Sequence, residues 1–260
     1  MREEPIIIAG PCVIEGIDTL KKTASFLKML SKTYKIEIFF KASFDKANRT
    51  SINSYRGPGL IKGISILEDI KKIFKLRLLI DVHETSQIER VAEIADIIQI
   101  PAFLSRQTDL IVESAKTNKM INIKKGQFMS PREALLAYEK AKRYSKNRVF
   151  ITERGTSFGY SDLIVDFRTA DLLISKGVEM IMDITHSCQR PALNPQSSGG
   201  DKRFALTFAK IASITGFSGL FAEVHPDPEN ALSDSATQLN FREYRKALNL
   251  FLKYHNHNSS

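Results

Sequence analysis

The chain reads as a single (β/α)8 TIM barrel, an α/β fold, on three observations. Eight short runs of β-branched, aliphatic or aromatic residues recur along its 260 residues, about 32 residues apart on average. Longer amphipathic stretches separate them. The runs are mostly apolar throughout rather than alternating, as parallel strands buried on both faces require. In order they are residues 6–9 (IIIA), 37–41 (EIFFK), 78–82 (LLIDV), 97–100 (IIQI), 121–123 (INI), 149–152 (VFIT), 179–183 (EMIMD) and 219–224 (GLFAEV). Helical periodicity covers 19–34, 61–74, 85–95, 108–117, 131–144, 203–215 and 241–253, and more weakly 166–176. An open doubly wound sheet shares this alternation, but it favours a G-x-G-x-x-G turn after the first strand, where this chain reads AGPCVIEG. No linker or composition step divides the chain, so residues 1–260 form one catalytic-sized domain. The closing HNHNSS resembles a chelating tract only superficially and is expected to be a frayed tail.

Composition narrows the function class. With 43% hydrophobic and 26% charged residues, the chain is globular rather than disordered. No apolar run approaches the roughly 18–20 residues of a membrane span. The start, MREEPIIIAGPC, lacks the basic region of a secretory signal, which predicts a cytoplasmic protein with no membrane partner. Two cysteines exclude a disulfide framework. Thirty-eight Lys+Arg against 29 Asp+Glu leave a net charge of +9, compatible with nucleic acid, an anionic surface or small anionic substrates. A nucleic-acid module would gather cations on one tract interleaved with aromatics. Here the cations are dispersed and Trp is absent, so no nucleic-acid partner is expected.

Barrels of this kind carry their chemistry at the C-terminal strand ends. The first run leads to Cys12, and the second to Lys41, Ser43, Lys46, Asn48 and Arg49. The third supplies Asp81 and His83, and the fourth Gln99 and Arg106. Lys124 follows the fifth, Arg154 the sixth, Asp183 and His186 the seventh, and Glu223, His225 and Asp234 the eighth. Cations from several strands would converge on one mouth, which argues for a site binding more than one anionic group. Taken singly, each residue has a plainer reading: Cys12 as a small buried side chain, the histidines as structural, Glu223 and Asp234 as a solvated rim. Together, Cys12, His186, Glu223 and Asp234 come from runs that neighbour one another in a closed barrel. A thiolate, an imidazole and two carboxylates make a mixed divalent-metal site, although no local C-x-x-C or H-E-x-x-H spacing supports it. Cys188, in THSCQRP, is read as lying in a polar, mobile loop with no role.

The blocks IAGPCVIEG, FKASFDKANRTSINSYRGPGL, DVHE, IIQIPAFLSRQTDL, NIKKGQF, TERGTSFGYSDLIVDFR, DITHSCQRP, SGGDKRFA and AEVHPDPENALSDSATQL run in order from residue 7 to 239. In them the chain resembles the 3-deoxy-D-manno-octulosonate 8-phosphate synthase family. That resemblance implies an enzyme condensing phosphoenolpyruvate with D-arabinose 5-phosphate and water, in KDO and lipopolysaccharide biosynthesis. It implies that Lys41, Lys46, Lys124 and Arg154 hold phosphoenolpyruvate, with Gln99 and Ala102 lining that pocket, and Ser43 is a further substrate-binding candidate. Asn48 and Arg49 would take the sugar phosphate and Asp81 the sugar hydroxyls. Arg106 and Gln107 would reach in from a neighbouring subunit of a homotetramer, and Ser197 or Ser198 would contribute to the same phosphate. His186, Asp234 and Lys124 would be catalytic.

The resemblance also divides on metal use. Metal-independent members carry Asn where this chain has Cys12, and C-D-G-P where it has S-D-S-A at 233–236. Both positions here match the metal-dependent class. Its ligands would be Cys12, His186, Glu223 and Asp234, around Zn, Fe, Mn or Co. The nearest rival is 3-deoxy-D-arabino-heptulosonate 7-phosphate synthase, which uses erythrose 4-phosphate. That family typically has K-P-R-[ST] where this chain has K-A-N-R-T.

Overall fold

A computed structural model describes residues 4–49, 51–191 and 199–257, to which the structural statements below refer. Eight strands close into a parallel barrel: β1 (Ile6–Gly10), β2 (Ile38–Lys41), β3 (Arg77–Asp81), β4 (Ile97–Ile100), β5 (Met120–Lys124), β6 (Val149–Glu153), β7 (Glu179–Asp183) and β8 (Gly219–Glu223). Each pairs in parallel with its sequence neighbours, and β1 meets β8 in the register Ile6↔Gly219 to Gly10↔Glu223. The predicted runs match these strands to within two residues at each end.

Helices α1 (Ile17–Tyr34), α2 (Leu60–Phe74), α3 (Ile88–Ile94), α4 (Thr108–Lys116), α5 (Pro131–Tyr144), α6 (Arg168–Ile174), α7 (Ala205–Ile214) and α8 (Phe241–His257) follow the strands in turn. In α1, Leu20, Thr23, Ala24, Leu27 and Leu30 are buried, the three-and-four spacing of one helical face against the sheet. Helix α5 starts where Ser130 and Glu133 cap each other's backbone N–H groups around Pro131.

Two apolar cores result. Outward-facing strand residues pack under the helices. Inward-facing Ile6, Ile8, Phe39, Leu79, Ile97, Met120, Phe150, Ile181 and Phe221, drawn from all eight strands, fill the barrel interior. Phe221 also lines the cleft among the C-terminal strand ends and forms its floor.

Several departures from the sequence reading have local causes. A hairpin pairs Thr156–Phe158 with Asp162–Ile164 around Gly159 at φ 65°; its strands are too short to carry a visible period. Cys188 does not lie in a mobile loop. It sits in a short 3-10 turn, buried, with Sγ donating to the Ile184 carbonyl at 3.3 Å. Burial, with Asp183 and Asp201 nearby, pushes its thiol up to about 12. The closing helix outruns the predicted end at residue 253 and reaches His257. His255 is buried there, its ring stacked on Phe251 at 4.9 Å, because it extends the apolar face of Tyr244, Ala247, Leu248 and Phe251.

Gly10 shows how tightly the strands close at the top of β1. A Cβ at that position would lie 2.0 Å from the Lys41 carbonyl oxygen, a backbone atom that cannot step aside. Gly10→Ala is expected to cost about 3 kcal/mol or more. Thermal denaturation checks this, and an unchanged melting temperature would contradict the packing.

Candidate active site

The C-terminal ends of the strands surround a cleft above Phe221. Lys41, Lys46, Asn48, Asp81, Gln99, Ala102, Lys124, Arg154 and His186 all line it, with His83 and Phe103. The barrel therefore brings most of the sequence-predicted residues together. Ser43, two residues past the end of β2, is fully buried and bonded to Asp81 of the lining. Arg49 and Asp234 line an adjoining groove, where Arg49 Nε donates to the Tyr55 carbonyl at 3.2 Å. Arg106 and Gln107 do not enter this cleft: both are exposed, and Arg106 pairs with Glu133 at 3.3 Å. Ser197 and Ser198 fall outside the described residues.

A hydrogen-bonded belt positions the middle of the cleft. Ser43 Oγ donates to Asp81 Oδ2 at 2.5 Å, and Gln99 Nε2 donates to Asp81 Oδ1 at 2.6 Å. Asn122 Nδ2 donates to Gln99 Oε1 at 2.8 Å, and Thr152 Oγ1 to Asn122 Oδ1 at 2.6 Å. One residue from each of five consecutive strand ends is thus fixed to the next, and all are buried. Asn122 and Thr152 were not picked out from sequence. The one available signal was an amide and a hydroxyl inside runs otherwise apolar. Burial alone would raise the Asp81 carboxyl, but Lys41 and Lys46 outweigh it and hold it down at about 2.

The cations rest on carboxylates. Lys41 Nζ donates to the Cys12 carbonyl at 2.8 Å and lies 3.4 Å from Glu223 Oε1, which Lys46 also approaches at 3.6 Å. Lys124 pairs with Asp183 and stands 3.5 Å from the centre of the Phe221 ring. Burial lowers the Lys124 ammonium to about 8, against the opposing pull of Asp183. Arg154 donates from Nη2 to Gln189 Oε1 at 2.7 Å, while its buried Nη1 has no protein partner and is free to meet an anion.

Asp183 has a role the sequence reading missed. Its Oδ1 accepts from the backbone N–H groups of Thr185 (3.0 Å) and His186 (2.8 Å) and from Thr185 Oγ1 (2.9 Å). Its Oδ2 faces both Lys124 and His186 Nδ1, the latter at 2.7 Å. A carboxylate on Nδ1 assigns the proton to that nitrogen and leaves the Nε2 lone pair for the site. Nε2 points at Glu223 Oε1 (3.4 Å) and Asp234 Oδ2 (3.8 Å). Burial works to raise Asp183, yet His186 and Lys124 hold it well below the usual carboxylate range. The spacing D-x-x-H was its sequence signal.

Ligand atoms of Cys12, Glu223 and Asp234 lie within 4.8 Å of one another. Cys12 Sγ is 2.7 Å from Ser233 Oγ and 3.2 Å from Asp234 Oδ2. Glu223 is wholly buried, and its Oε2 has no protein partner. Burial, then Asp234 and Glu223, push the Cys12 thiol well above its ordinary value despite Lys46 and Lys41. The thiol and two carboxylates so gathered fit a divalent transition metal, since a cation relieves the crowding of like charge. His186 stands outside this trio, its Nε2 facing the two carboxylates. The loop bearing Asp234 is also tied down by Glu15, whose Oε1 accepts from the Leu232 N–H at 2.9 Å and whose Oε2 faces His225 Nε2 at 3.3 Å.

Comparison with known proteins adds names to this geometry. The family model described as "DAHP synthetase I family" matches residues 2–258. A 2-dehydro-3-deoxyphosphooctonate aldolase of Helicobacter pylori (strain HPAG1) is 47% identical over 264 residues, 96% of this chain and 95% of its own. The enzyme of that name from Wolinella succinogenes is 47% identical over 248 residues, covering 90% and 93%. One from Campylobacter jejuni subsp. jejuni serotype O:23/36 is 45% identical over 262 residues, covering 96% of each chain.

Proposed function

The chain belongs to the DAHP synthetase I family, and within it we propose that it acts as a 2-dehydro-3-deoxyphosphooctonate aldolase of the metal-dependent class. It condenses phosphoenolpyruvate with D-arabinose 5-phosphate and water, giving 3-deoxy-D-manno-octulosonate 8-phosphate and phosphate. The observation that carries this is identity of 45–47% across nearly the whole chain to relatives of that one name. The family's own description names the heptulosonate enzyme, but none of these relatives does. The cleft agrees: Lys41, Lys46, Lys124 and Arg154 line it together with Asn48, the residue that distinguishes K-A-N-R-T from the heptulosonate run.

The chemistry joins the enol carbon C3 of phosphoenolpyruvate to the aldehyde C1 of the sugar. Positive charge develops at C2, water adds there, and the resulting hemiketal phosphate breaks its C–O bond to release phosphate. Two polyanions must first share one cleft. Lys41, Lys46, Lys124 and Arg154 offset that repulsion and fix the phosphoenolpyruvate, with Arg154 Nη1 supplying an unpaired donor. Asp81, anchored by Ser43 and Gln99, keeps its charge and accepts from sugar hydroxyls. Asn48 and Arg49 are assigned to the sugar phosphate, a role the family resemblance extends to Ser197 or Ser198.

Cys12, His186, Glu223 and Asp234 would hold the metal, Zn, Fe, Mn or Co, which when bound supplies Lewis-acid polarisation of an oxygen at the reacting centre. His186 and Asp234 are the candidates for proton handling there, Asp234 through the carboxylate oxygen not given to the metal and His186 only when its Nε2 is not a ligand. Lys124 Nζ stands 3.5 Å from the His186 ring. The exposure of Arg106 and Gln107 away from their own cleft supports a homotetramer in which they complete a neighbour's sugar-phosphate site. Among the described residues no helix is long and apolar enough to cross a membrane, and the proposed setting is the cytoplasm.

Phosphate release tests the reading directly. Phosphoenolpyruvate with arabinose 5-phosphate is expected to turn over, and phosphoenolpyruvate with erythrose 4-phosphate to give less than about a hundredth of that rate. Preference for the four-carbon sugar would move the chain to the heptulosonate enzymes.

A further inference from the structure

The side chains that would hold the metal belong to loops far apart in the chain: Cys12 and Asp234 are separated by 222 positions. A single buried side chain bonds to both loops. Gln238 Oε1 accepts the Cys12 backbone N–H at 3.3 Å, and Gln238 Nε2 donates to the Ser233 carbonyl at 2.8 Å. Gln238 is 0% exposed, so these two loops are what its amide serves. A primary amide offers an acceptor and a donor on one short planar group without needing to change protonation state. A carboxylate there would face the Ser233 carbonyl with like charge, and an alkyl chain would leave two buried backbone groups unpaired.

The segment so held carries Asp234 at φ 48°, a left-handed conformation unfavourable for an L-residue. Thr237 and Gln238 N–H both close onto the Asp234 carbonyl, at 3.0 and 3.1 Å, and the Asp234 carboxylate accepts from Cys12 Sγ at 3.2 Å. Ser233, the residue Gln238 grips by its carbonyl, sets its hydroxyl 2.7 Å from Cys12 Sγ. Both halves of the thiol–carboxylate pair therefore depend on the same amide for their relative position.

We propose that Gln238 is a positioning residue for the metal centre, a clamp that holds the Cys12 loop and the Ser233–Asp234 turn at ligating distance from one another. This rests on the metal-dependent reading given above. Its loss lowers metal affinity through misplacement of Cys12, without touching substrate, so KM for either substrate at saturating metal stays as it was.

The test is a cobalt(II) titration of the metal-free full-length chain, following the thiolate-to-cobalt absorption band, with far-UV circular dichroism as the control for folding. The unmodified chain is expected to develop the band. Gln238→Met, close in shape but with no polar group, is expected to bind cobalt at least about tenfold more weakly and to show a weaker band at saturation. A Met variant with normal affinity and a full band, even with a lowered melting temperature, overturns the clamp and leaves Gln238 a purely structural residue. Should Gln238→Met lose its secondary structure, Gln238→Asn is measured in its place. Its shorter amide cannot span both partners, so the same fall is expected, and an unchanged affinity overturns the proposal equally. Absence of the band in the unmodified chain would instead fail the metal-dependent reading itself.

Discussion

Chelation of the purified chain is expected to abolish condensation, to below about a thousandth of the initial rate, and added Zn, Fe, Mn or Co to restore it. A loss of that size corresponds to about 4 kcal/mol of transition-state stabilisation, within what a Lewis-acidic ion supplies. The expectation rests on three ligand atoms of Cys12, Glu223 and Asp234 within 4.8 Å and on the His186 Nε2 lone pair turned toward two of them. Left to themselves these groups are mismatched. The thiol is driven well up by burial and by its two carboxylate neighbours, and Glu223 Oε2 is buried without a protein partner. Full activity after exhaustive metal removal would sink the metal-dependent assignment while leaving the substrate pair intact. Cys12→Asn separates ligation from catalysis. It should weaken metal retention at least about tenfold, yet keep partial turnover, as the resemblance to a metal-independent class with Asn at this position implies.

The barrel was legible because strands buried on both faces write themselves as uninterrupted apolar runs, and each of the eight runs became a strand. The closing helix outruns residue 253, where HNHNSS reads as a frayed tail, because the His255 imidazole stacks on Phe251 and continues an apolar face. The site residues followed from one rule, that chemistry sits at strand ends, together with the family resemblance. What spacing could not reveal were the partners behind them. Gln238 lies 226 positions from the backbone it holds, and Asn122 reaches Gln99 only once β4 and β5 are side by side. The charge excess carried a further lesson. It pointed to anionic substrates, but the cleft cations are not a bare positive surface: Lys41 and Lys46 rest on Glu223, and Lys124 on Asp183. Each is a buried or half-buried ion pair in place before substrate arrives. The net +9 is therefore carried largely by surface Lys and Arg, and substrate recognition depends on where charges are fixed rather than on their sum.

Asp183→Asn is expected to lower kcat/KM by about a thousandfold, although the substitution changes no volume and Asp183 touches no substrate. The carboxylate is fully buried and receives five polar groups: two backbone N–H groups, the Thr185 hydroxyl, His186 Nδ1 and Lys124 Nζ. An amide oriented to keep its oxygen on Thr185 and the backbone must turn its NH2 toward His186 and Lys124. That places a donor against the Nδ1 proton, and the imidazole responds by moving the proton to Nε2 or by rotating. Either response removes the lone pair that faces Glu223 and Asp234. At the same time the Lys124 ammonium loses its ion-pair partner Asp183 in a site where burial already lowers it to about 8. Breaking such a buried pair costs about 3 kcal/mol, and part of that loss falls on stability and part on phosphoenolpyruvate binding. Loss of the histidine's orientation accounts for the rest, since partners behind a metal-facing histidine are worth about 10–100-fold on their own. Steady-state kinetics at saturating metal, read beside circular dichroism and metal content, check the expectation. Both retained metal and kcat/KM should fall while the fold persists. A variant that keeps more than about a tenth of normal kcat/KM would show that Lys124 and His186 hold their positions without Asp183, and the arrangement at the end of β7 would have to be assigned to stability alone.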